Sequence, residues 1–111
     1  MKSYLTILTS LLFCLNANAV TLKVKYLERP VNVTRYGFEN FRKNSSLIYD
    51  SWYDKNNNYL ILNLQGTNYH YCGFRNTDWN YFKNAESLGR HYIQNIKGRF
   101  DCRVIPPPTY K

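Results

Sequence analysis

The chain has 111 residues, with 15 lysines and arginines against 7 aspartates and glutamates and a formal net charge of +8. This length excludes a large multidomain protein and allows one small domain with a limited core. The excess of positive charge indicates an anionic partner, such as an acidic protein, an anionic glycan, a membrane surface or nucleic acid. A soluble surface without an anion site fits this charge equally well.

The first nineteen residues have the pattern of an export signal. Lys2 gives a positive start, Leu5 to Leu15 form a short apolar stretch, and Ala17-Asn18-Ala19 is a small-x-small cleavage site. The apolar stretch is shorter than the roughly 20 residues that a membrane-spanning helix needs. We therefore predict a periplasmic or secreted protein that begins at Val20 and has no transmembrane segment. Cleavage removes Lys2 and leaves a net charge of +7.

Two cysteines, Cys72 and Cys102, remain after the predicted cleavage. An even pair in an oxidising compartment predicts one disulfide bond. Closing a loop of about 30 residues contributes on the order of 3 kcal/mol. A redox-active or metal-binding pair is the less favoured alternative, because the two thiols are far apart in sequence and form no CxxC motif.

The first part of the mature chain predicts short strands and a loop. Thr21 to Leu27 alternates between apolar and charged residues, as a half-exposed strand does. Pro30 ends this strand or confines it to a sheet edge. Val31 to Arg35 fits another short strand, whereas Tyr36 to Asn44 fits a loop or a short helical turn. The side chains expected on the inner side of the first strand are Leu22, Val24 and Tyr26.

The centre of the chain predicts three consecutive antiparallel strands. Leu47 to Asp54 is rich in aromatic residues, and Tyr59 to Leu64 alternates around three leucines. The residues between them, Lys55 to Asn58, form an asparagine-rich turn. Gln65-Gly66 predicts a tight hairpin turn into a third strand, Thr67 to Phe74.

The pattern then changes to helical periodicity. Thr77 is a predicted N-cap of a short helix that ends near Asn84. Ser87 is the predicted N-cap of a second helix that runs to about Lys97 and is ended by Gly98. The apolar stripe expected on the second helix comprises Leu88, Tyr92, Ile93 and Ile96.

Strands followed by helices predict an α+β fold. We expect a small antiparallel sheet of three or more strands, followed by two helices that pack on one face of the sheet. Pro106-Pro107-Pro108 predicts an extended tail that does not pack on the domain.

Two motifs resemble those of a known family. Tyr69-His70-Tyr71 matches the central YxY motif, and Ala85 to Phe100 matches the segment A-S-x-x-G-x-aromatic-aromatic-x-x-x-I-K/R-x-x-aromatic, of the KTSC domain. This family is named after the lysyl-tRNA synthetase C-terminal extension. Ser45 to Ile48 and Tyr53-Asp54 match its opening strand. Unlike most members, this chain has Arg75 where the family has a proline at the start of the first helix.

The resemblance covers residues 45–103 and implies a domain of three strands and two helices. It divides the chain into a signal peptide (1–19), an N-terminal extension of strand and loop (20–44), a KTSC-like domain (45–103) and a Pro-rich tail (104–111). The family has no established function, and RNA binding has been suggested for it from its attachment to a synthetase. Export disfavours RNA as the partner of this chain, because intact RNA is not a usual resident of an export compartment.

Six residues are candidate ligand contacts in the sequence. The two tyrosines among them would stack on bases or sugars, or else pack beneath the helices, which we favour because alternating aromatic residues suit a covered sheet face. The four basic residues would form an anion-binding patch at the end of the second helix, or else a solvated helix face. The six residues are Tyr69, Tyr71, Arg90, Lys97, Arg99 and Arg103.

The sequence does not favour metal binding or catalysis. His70 and His91 are the only histidines, and no HxH, HxxxH or HxxE spacing occurs around them. We expect His70 on an exposed strand face and no metal or cofactor. No Ser-His-Asp spacing, phosphate loop or cofactor fingerprint occurs either, so we do not expect an enzyme.

These observations favour an exported, small, non-enzymatic binding module that engages an envelope protein or an anionic envelope polymer. RNA or single-stranded nucleic-acid binding, which the resemblance implies, is the first alternative. A small inhibitor or exclusion factor that acts on an envelope enzyme is the second, and it rests only on size, export and the predicted disulfide.

Overall fold

The structure of the protein is a computed structural model that describes residues 19–111. The predicted export signal lies outside the described residues, apart from Ala19, and stays a prediction. Eight elements form the described chain. They are β1 (Thr21–Leu22), β2 (Val31–Asn32), β3 (Glu39–Phe41), β4 (Ile48–Asp54), β5 (Tyr59–Leu64), β6 (Thr67–Cys72), α1 (Asn76–Lys83) and α2 (Leu88–Asn95).

The main sheet has four antiparallel strands in the order β3-β4-β5-β6, which confirms the predicted α+β fold. The three predicted central strands are confirmed as β4, β5 and β6, with the outer two slightly shorter than expected. Both predicted hairpin turns are also present. Asn58 has φ +50° in the first, and Gln65 and Gly66 have φ +51° and +106° in the second. These left-handed conformations suit the tight turns that join adjacent strands.

The prediction of a loop or helical turn at residues 36–44 is wrong, because this segment contains β3, an edge strand of the main sheet. Asn40 lies opposite Trp52 of β4, and its side-chain amide donates to an Asp50 carboxylate oxygen at 2.7 Å. Arg42 forms an ion pair with the same carboxylate at 2.7 Å. Polar side chains hold this strand in place, so it lacks the apolar alternation from which a strand is predicted.

Helix α2 begins as predicted, whereas α1 begins two residues earlier than expected. The Ser87 hydroxyl accepts a hydrogen bond from the Arg90 backbone N–H at 3.2 Å, as an N-cap does. In α1, Arg75 rather than Thr77 is the N-cap residue. The Asp78 carboxylate accepts from the Arg75 backbone N–H at 2.9 Å, which satisfies a free donor at the helix start.

The two helices cover one face of the sheet and form the first core. Trp79 and Phe82 of α1 are fully buried, and Trp79 stacks on Tyr53 of β4 with ring centroids 5.1 Å apart. Ile93 does not belong to this core. It is 59% exposed, because α2 turns the Leu88, Tyr92 and Ile96 side of the helix inward. The buried residues of this core are Ile48, Tyr53, Leu60, Leu62, Tyr71, Phe74, Trp79, Phe82, Leu88, Tyr92 and Ile96.

The opposite face of the sheet is covered by the N-terminal segment, which forms a second core. Strands β1 and β2 pair as a separate two-stranded sheet, and Val24 forms an isolated parallel bridge to Asn68 of β6. The predicted strand to Leu27 is therefore much shorter than expected. Tyr26 does not point inward but is 79% exposed. The buried residues of the second core are Leu22, Val24, Val31, Val33, Trp52, Tyr59, Ile61 and Cys72.

The Pro-rich tail packs on the domain, contrary to the prediction that it is free. Tyr110 lies against the second core, and its ring centroid is 5.5 Å from that of Phe38. Its hydroxyl donates to a carboxylate oxygen of the buried Asp54 at 2.6 Å. Proline residues therefore set an extended path here, but the aromatic residue beyond them anchors the end of the chain.

The predicted disulfide between Cys72 and Cys102 is confirmed by the geometry, with the two Cα atoms 4.9 Å apart. Cys72 is the last residue of β6 and Cys102 follows α2. The bond therefore fixes the chain after the second helix against the end of the main sheet.

Candidate binding groove

A surface groove of about 740 Å³ lies where the N-terminal segment, the end of β6 and the chain after α2 meet. One wall is the turn around Tyr26 and Leu27. The other is the loop of residues 98–103, and buried tyrosines of β6 and α2 form its base. The residues that line the groove are Tyr26, Leu27, His70, Tyr71, Tyr92, Gly98, Arg99, Phe100, Asp101, Cys102, Arg103 and Pro107.

The first wall is a turn held against the edge of β6. The Lys25 backbone N–H donates to the Asn68 carbonyl at 2.8 Å, and the Leu27 N–H donates to the Val24 carbonyl at 3.1 Å. The second bond closes a four-residue turn that has Tyr26 at its third position. This turn directs the Tyr26 side chain into solvent at the groove edge.

The second wall is held by the backbone and by the disulfide. Gly98 has φ +76°, which lets the chain reverse after α2, and Phe100 has φ +57°. The Phe100 carbonyl accepts a hydrogen bond from the Cys72 N–H at 2.8 Å. Together with the Cys72–Cys102 bond, this contact holds the loop against the end of β6.

The base of the groove contains a hydrogen-bonded pair of tyrosines. The Tyr71 hydroxyl donates to the Tyr92 hydroxyl at 3.1 Å, and their rings meet edge to face with centroids 6.1 Å apart. Burial is the main cause that raises the pKa of Tyr71, and the hydrogen bond with Tyr92 raises it further. Both side chains are buried, so they contribute a neutral surface rather than open stacking faces.

His70 lies on the other side of β6 and is half-buried, so the prediction of an exposed histidine is wrong. Its Nδ1 lies 2.8 Å from the Tyr59 hydroxyl of β5, and burial lowers its pKa. The second core covers this face of the sheet, which the sequence pattern did not indicate. His70 is therefore predominantly neutral at neutral pH.

The two arginines of the groove differ in whether they already have an ion-pair partner within the described residues. Arg103 forms an ion pair with Asp101 at 2.8 Å, and hydrogen bonds from Arg103 lower the pKa of Asp101. Arg99 is exposed, and its guanidinium has no ion-pair or hydrogen-bond partner within residues 19–111. Arg99 is therefore the arginine of the groove whose charge is most available to an anionic ligand.

The groove brings together three of the six predicted contact residues, namely Tyr71, Arg99 and Arg103. Tyr69 lies nearby, half-buried against the helix-side core, with the Lys25 ammonium 5.5 Å from its ring centroid. Arg90 and Lys97 are exposed but do not line the groove. The predicted patch at the end of α2 is therefore divided among different surfaces.

Among the groove residues that the sequence patterns missed as contacts are Tyr26 and Pro107. Tyr26 fitted the inner side of a regular strand, and Pro107 belonged to a tail that was expected to be free. Both enter the groove through contacts between distant parts of the chain. The chain leaves the predicted strand at Tyr26 because Val24 and Lys25 pair with Asn68 of β6. No local sequence pattern indicates this pairing.

Arg99 also borders a second, smaller cleft of about 390 Å³ that contains Asp78, His91 and Asn95. Burial lowers the pKa of His91, and the Asp78 carboxylate partly opposes this shift. The described part of the chain has no cluster of three His, Cys, Asp or Glu residues that could hold a metal ion. Within the same residues, no helix combines the length and apolar character needed to cross a membrane.

A family model for the KTSC domain matches residues 44–100, which is more than half of the chain. The chain belongs to the KTSC domain family. A crystal structure of a KTSC domain protein from Yersinia pestis is similar to it, with 29% sequence identity and a TM-score of 0.55. The aligned region covers 58% of this chain and 92% of the Yersinia protein. The comparison with curated proteins finds no match to this chain.

The groove combines the KTSC segment with residues on both sides of it. Tyr71, Tyr92 and Arg99 lie within residues 44–100, whereas Tyr26 precedes this segment and Arg103 follows it. The KTSC segment thus supplies the base of the groove, and the flanking segments supply most of its walls. A KTSC domain without these flanking segments would lack this groove.

Proposed function

We propose that the protein is an exported, non-catalytic KTSC domain that binds an anionic polymer of the cell envelope in the groove. The single observation that carries this proposal is the position of Arg99, whose guanidinium has no partner among residues 19–111 and lies in a groove that also contains aromatic side chains. Binding sites for small molecules and chain segments commonly combine an apolar lining with a few polar groups that fix orientation.

Charge complementarity supports an anionic ligand. The loop of residues 97–103 contains three basic residues and one acidic residue, and Lys25 adds a further positive charge beside the opposite wall. Arg103 carries its own counter-ion, Asp101, so an anion that approaches the loop meets Arg99 first. Arginine binds carboxylate and phosphate groups through paired hydrogen bonds.

Export is supported by the N-terminal pattern and by the cysteine pair. Residues 1–19 have the charge, apolar stretch and cleavage site of a signal peptide. Disulfides persist in oxidising compartments and are rare in the cytosol. An envelope polymer is the anion that a periplasmic or secreted protein meets most readily, whereas RNA is not a usual resident there.

The test begins with the full chain expressed in a bacterial host. We expect an intact mass that corresponds to a chain beginning at Val20, lighter by two hydrogens than the reduced form. The purified protein is then titrated with polygalacturonate, poly-L-glutamate and poly(U) RNA over a salt series. We expect affinity for the first two polymers to fall as salt rises, because charge attraction is screened.

Arg99→Gln should weaken polymer binding by about tenfold, as loss of a central arginine contact commonly does. Arg35→Gln is the matched control, since it removes the same charge from an exposed turn outside the groove. Absence of salt-sensitive binding to any polyanion, or equal losses for the two variants, would contradict the proposal. Strongest binding to poly(U) would instead favour the RNA function suggested for KTSC domains.

A further inference from the structure

Tyr26 has a backbone conformation that a tyrosine rarely adopts. Its φ is +76°, and it occupies the third position of the turn closed by the hydrogen bond from the Leu27 N–H to the Val24 carbonyl. A positive φ at this position is characteristic of a type II turn, in which glycine or asparagine is the usual residue. For a bulky side chain this conformation is a genuine outlier.

The other non-glycine residues with positive φ have structural explanations. Asn58 and Gln65 lie in hairpin turns, where this conformation matches the twist of the strands. Phe100 packs against Phe74 with ring centroids 4.9 Å apart, so its conformation places an aromatic ring against the core. Tyr26 gains no such burial, because its side chain is 79% exposed.

The exposed Tyr26 ring lies beside positive charges. The Lys25 ammonium is 5.5 Å from the Tyr26 ring centroid. Arg103 lines the same groove from the opposite wall. The edge of the groove thus combines an exposed aromatic ring, which has the Lys25 ammonium over one face, with the Arg103 guanidinium, already paired with Asp101, on the opposite wall. An acidic sugar has the complementary chemistry, because it carries a carboxylate on a ring whose apolar face can stack on an aromatic side chain.

We propose that Tyr26 is a specificity-determining residue that stacks on a sugar ring of the ligand, and that the ligand is therefore a polysaccharide of acidic sugars. This inference rests on the proposed function and goes beyond it by naming the polymer class. Residues with a strained backbone concentrate at functional sites and ligand clamps, where the surrounding structure holds them in place and the strain is part of the mechanism. The ring of Tyr26 should therefore favour a polyanion built of sugar rings over a flexible polyanion of the same charge.

The binding test compares two carboxylate polymers that differ in their rings. Wild-type protein should bind polygalacturonate more tightly than poly-L-glutamate at equal carboxylate concentration. Tyr26→Gly should weaken binding to polygalacturonate by about tenfold, the loss expected for a tyrosine hot spot. It should change binding to poly-L-glutamate by less than about twofold, because that polymer relies on charge.

The stability test does not depend on a ligand. Tyr26→Gly should leave the melting temperature unchanged or raise it by up to about 5 °C, because glycine adopts a positive φ without steric cost. Tyr49→Gly is the matched control, at an exposed strand residue outside the groove. We expect it to lower the melting temperature and leave polymer binding unchanged.

Three outcomes would overturn the inference. They are a lower melting temperature for Tyr26→Gly, equal wild-type affinity for the two polymers, or equal losses on both polymers. In each of these cases salt-sensitive, Arg99-dependent binding would still support the proposed function. Absence of wild-type binding to both polymers would overturn the inference and the proposed function together.

Discussion

The two faces of the four-stranded sheet are buried by different parts of the chain. The helix face is covered by α1 and α2, which lie within the KTSC segment of residues 44–100. The opposite face is covered by β1, β2 and the turns around them, with Tyr110 of the tail packed at the margin. The KTSC segment therefore supplies every buried residue of one core, on which Phe41 of β3 also packs, and needs its flanking segments to build the other.

This difference matters for function because the second core positions the groove. Val24 of the second core begins the turn that carries Tyr26, and Cys72 is bonded to the loop that carries Arg99 and Arg103. The face that the second core covers is also the face on which a sheet with helices on one side only would stack nucleic-acid bases. In this chain the flanking segments replace that open face with a groove at its margin.

Matched substitutions on neighbouring residues of β5 measure the strength of the two cores. Ile61 faces the second core and Leu62 faces the helix core, and both are fully buried. If both cores are well packed, Ile61→Ala and Leu62→Ala should each lower the free energy of unfolding by about 2–5 kcal/mol. Urea denaturation monitored by tryptophan fluorescence provides the measurement.

Ile93→Ala is the control, because Ile93 is 59% exposed and its truncation should change stability by less than about 1 kcal/mol. A loss for Ile61→Ala as small as that of the control would show that the flanking segments cover the sheet only loosely. It would also undermine the groove, since one of its walls is fixed by the second core.

Removal of the disulfide should have the next largest effect. The bond joins residues 30 positions apart, and loss of this constraint on the unfolded chain should cost about 3 kcal/mol. The double variant Cys72→Ala and Cys102→Ala is compared with oxidised wild-type protein by urea denaturation.

Reduced wild-type protein provides the control for this variant, because it lacks the bond but keeps both sulfur atoms. We expect reduced protein and the double variant to have similar stability and weaker polymer binding, since the loop of residues 98–103 loses one of its attachments. Unchanged polymer binding after reduction would show that the hydrogen bond from the Cys72 N–H to the Phe100 carbonyl suffices to hold the loop.

The contrast between the two cores also explains what could be predicted from the sequence. The helix core follows from local patterns, such as the alternation in β5 and the Ser87 cap of α2, because each element is long enough to show its period. The cover of the second core is built from two-residue strands and turns, for which no period can be recognised. Its defining contacts, such as Val24 with Asn68 and Tyr110 with Asp54, join distant parts of the chain.

The candidate site could be predicted only in part, because its geometry also depends on contacts between distant parts of the chain. The basic residues near the end of α2 could be recognised from composition, and the cysteine pair from its number and compartment. Which of the arginines is free depended on the Asp101–Arg103 ion pair, and the aromatic wall depended on the Tyr26 turn. These features are tertiary, so the sequence located the region without giving its geometry.

The smallest expected effect concerns the two histidines, one on each side of the sheet. Burial lowers the pKa of His70 in the second core and of His91 on the helix side, and Asp78 partly opposes the shift of His91. A histidine with a lowered pKa in the folded state is protonated more readily in the unfolded chain. Stability should therefore decrease as the pH falls below about 6.5, the ordinary histidine value, and level off below the folded pKa.

His70→Asn should flatten this pH dependence more than His91→Asn does, because within residues 19–111 the Asp78 carboxylate opposes the shift of His91 and burial alone acts on His70. Asparagine keeps a hydrogen-bond acceptor near the position of Nδ1, so the contact with the Tyr59 hydroxyl can persist. Urea denaturation is measured between pH 5 and 8, above the range in which Glu39 titrates, since the Lys83 hydrogen bond lowers the pKa of Glu39. A steeper dependence for His70→Asn than for wild type would contradict the assignment, because it requires that folding raises the pKa of His70. An unchanged dependence would show that the second core admits water at β6, so that His70 keeps its ordinary pKa.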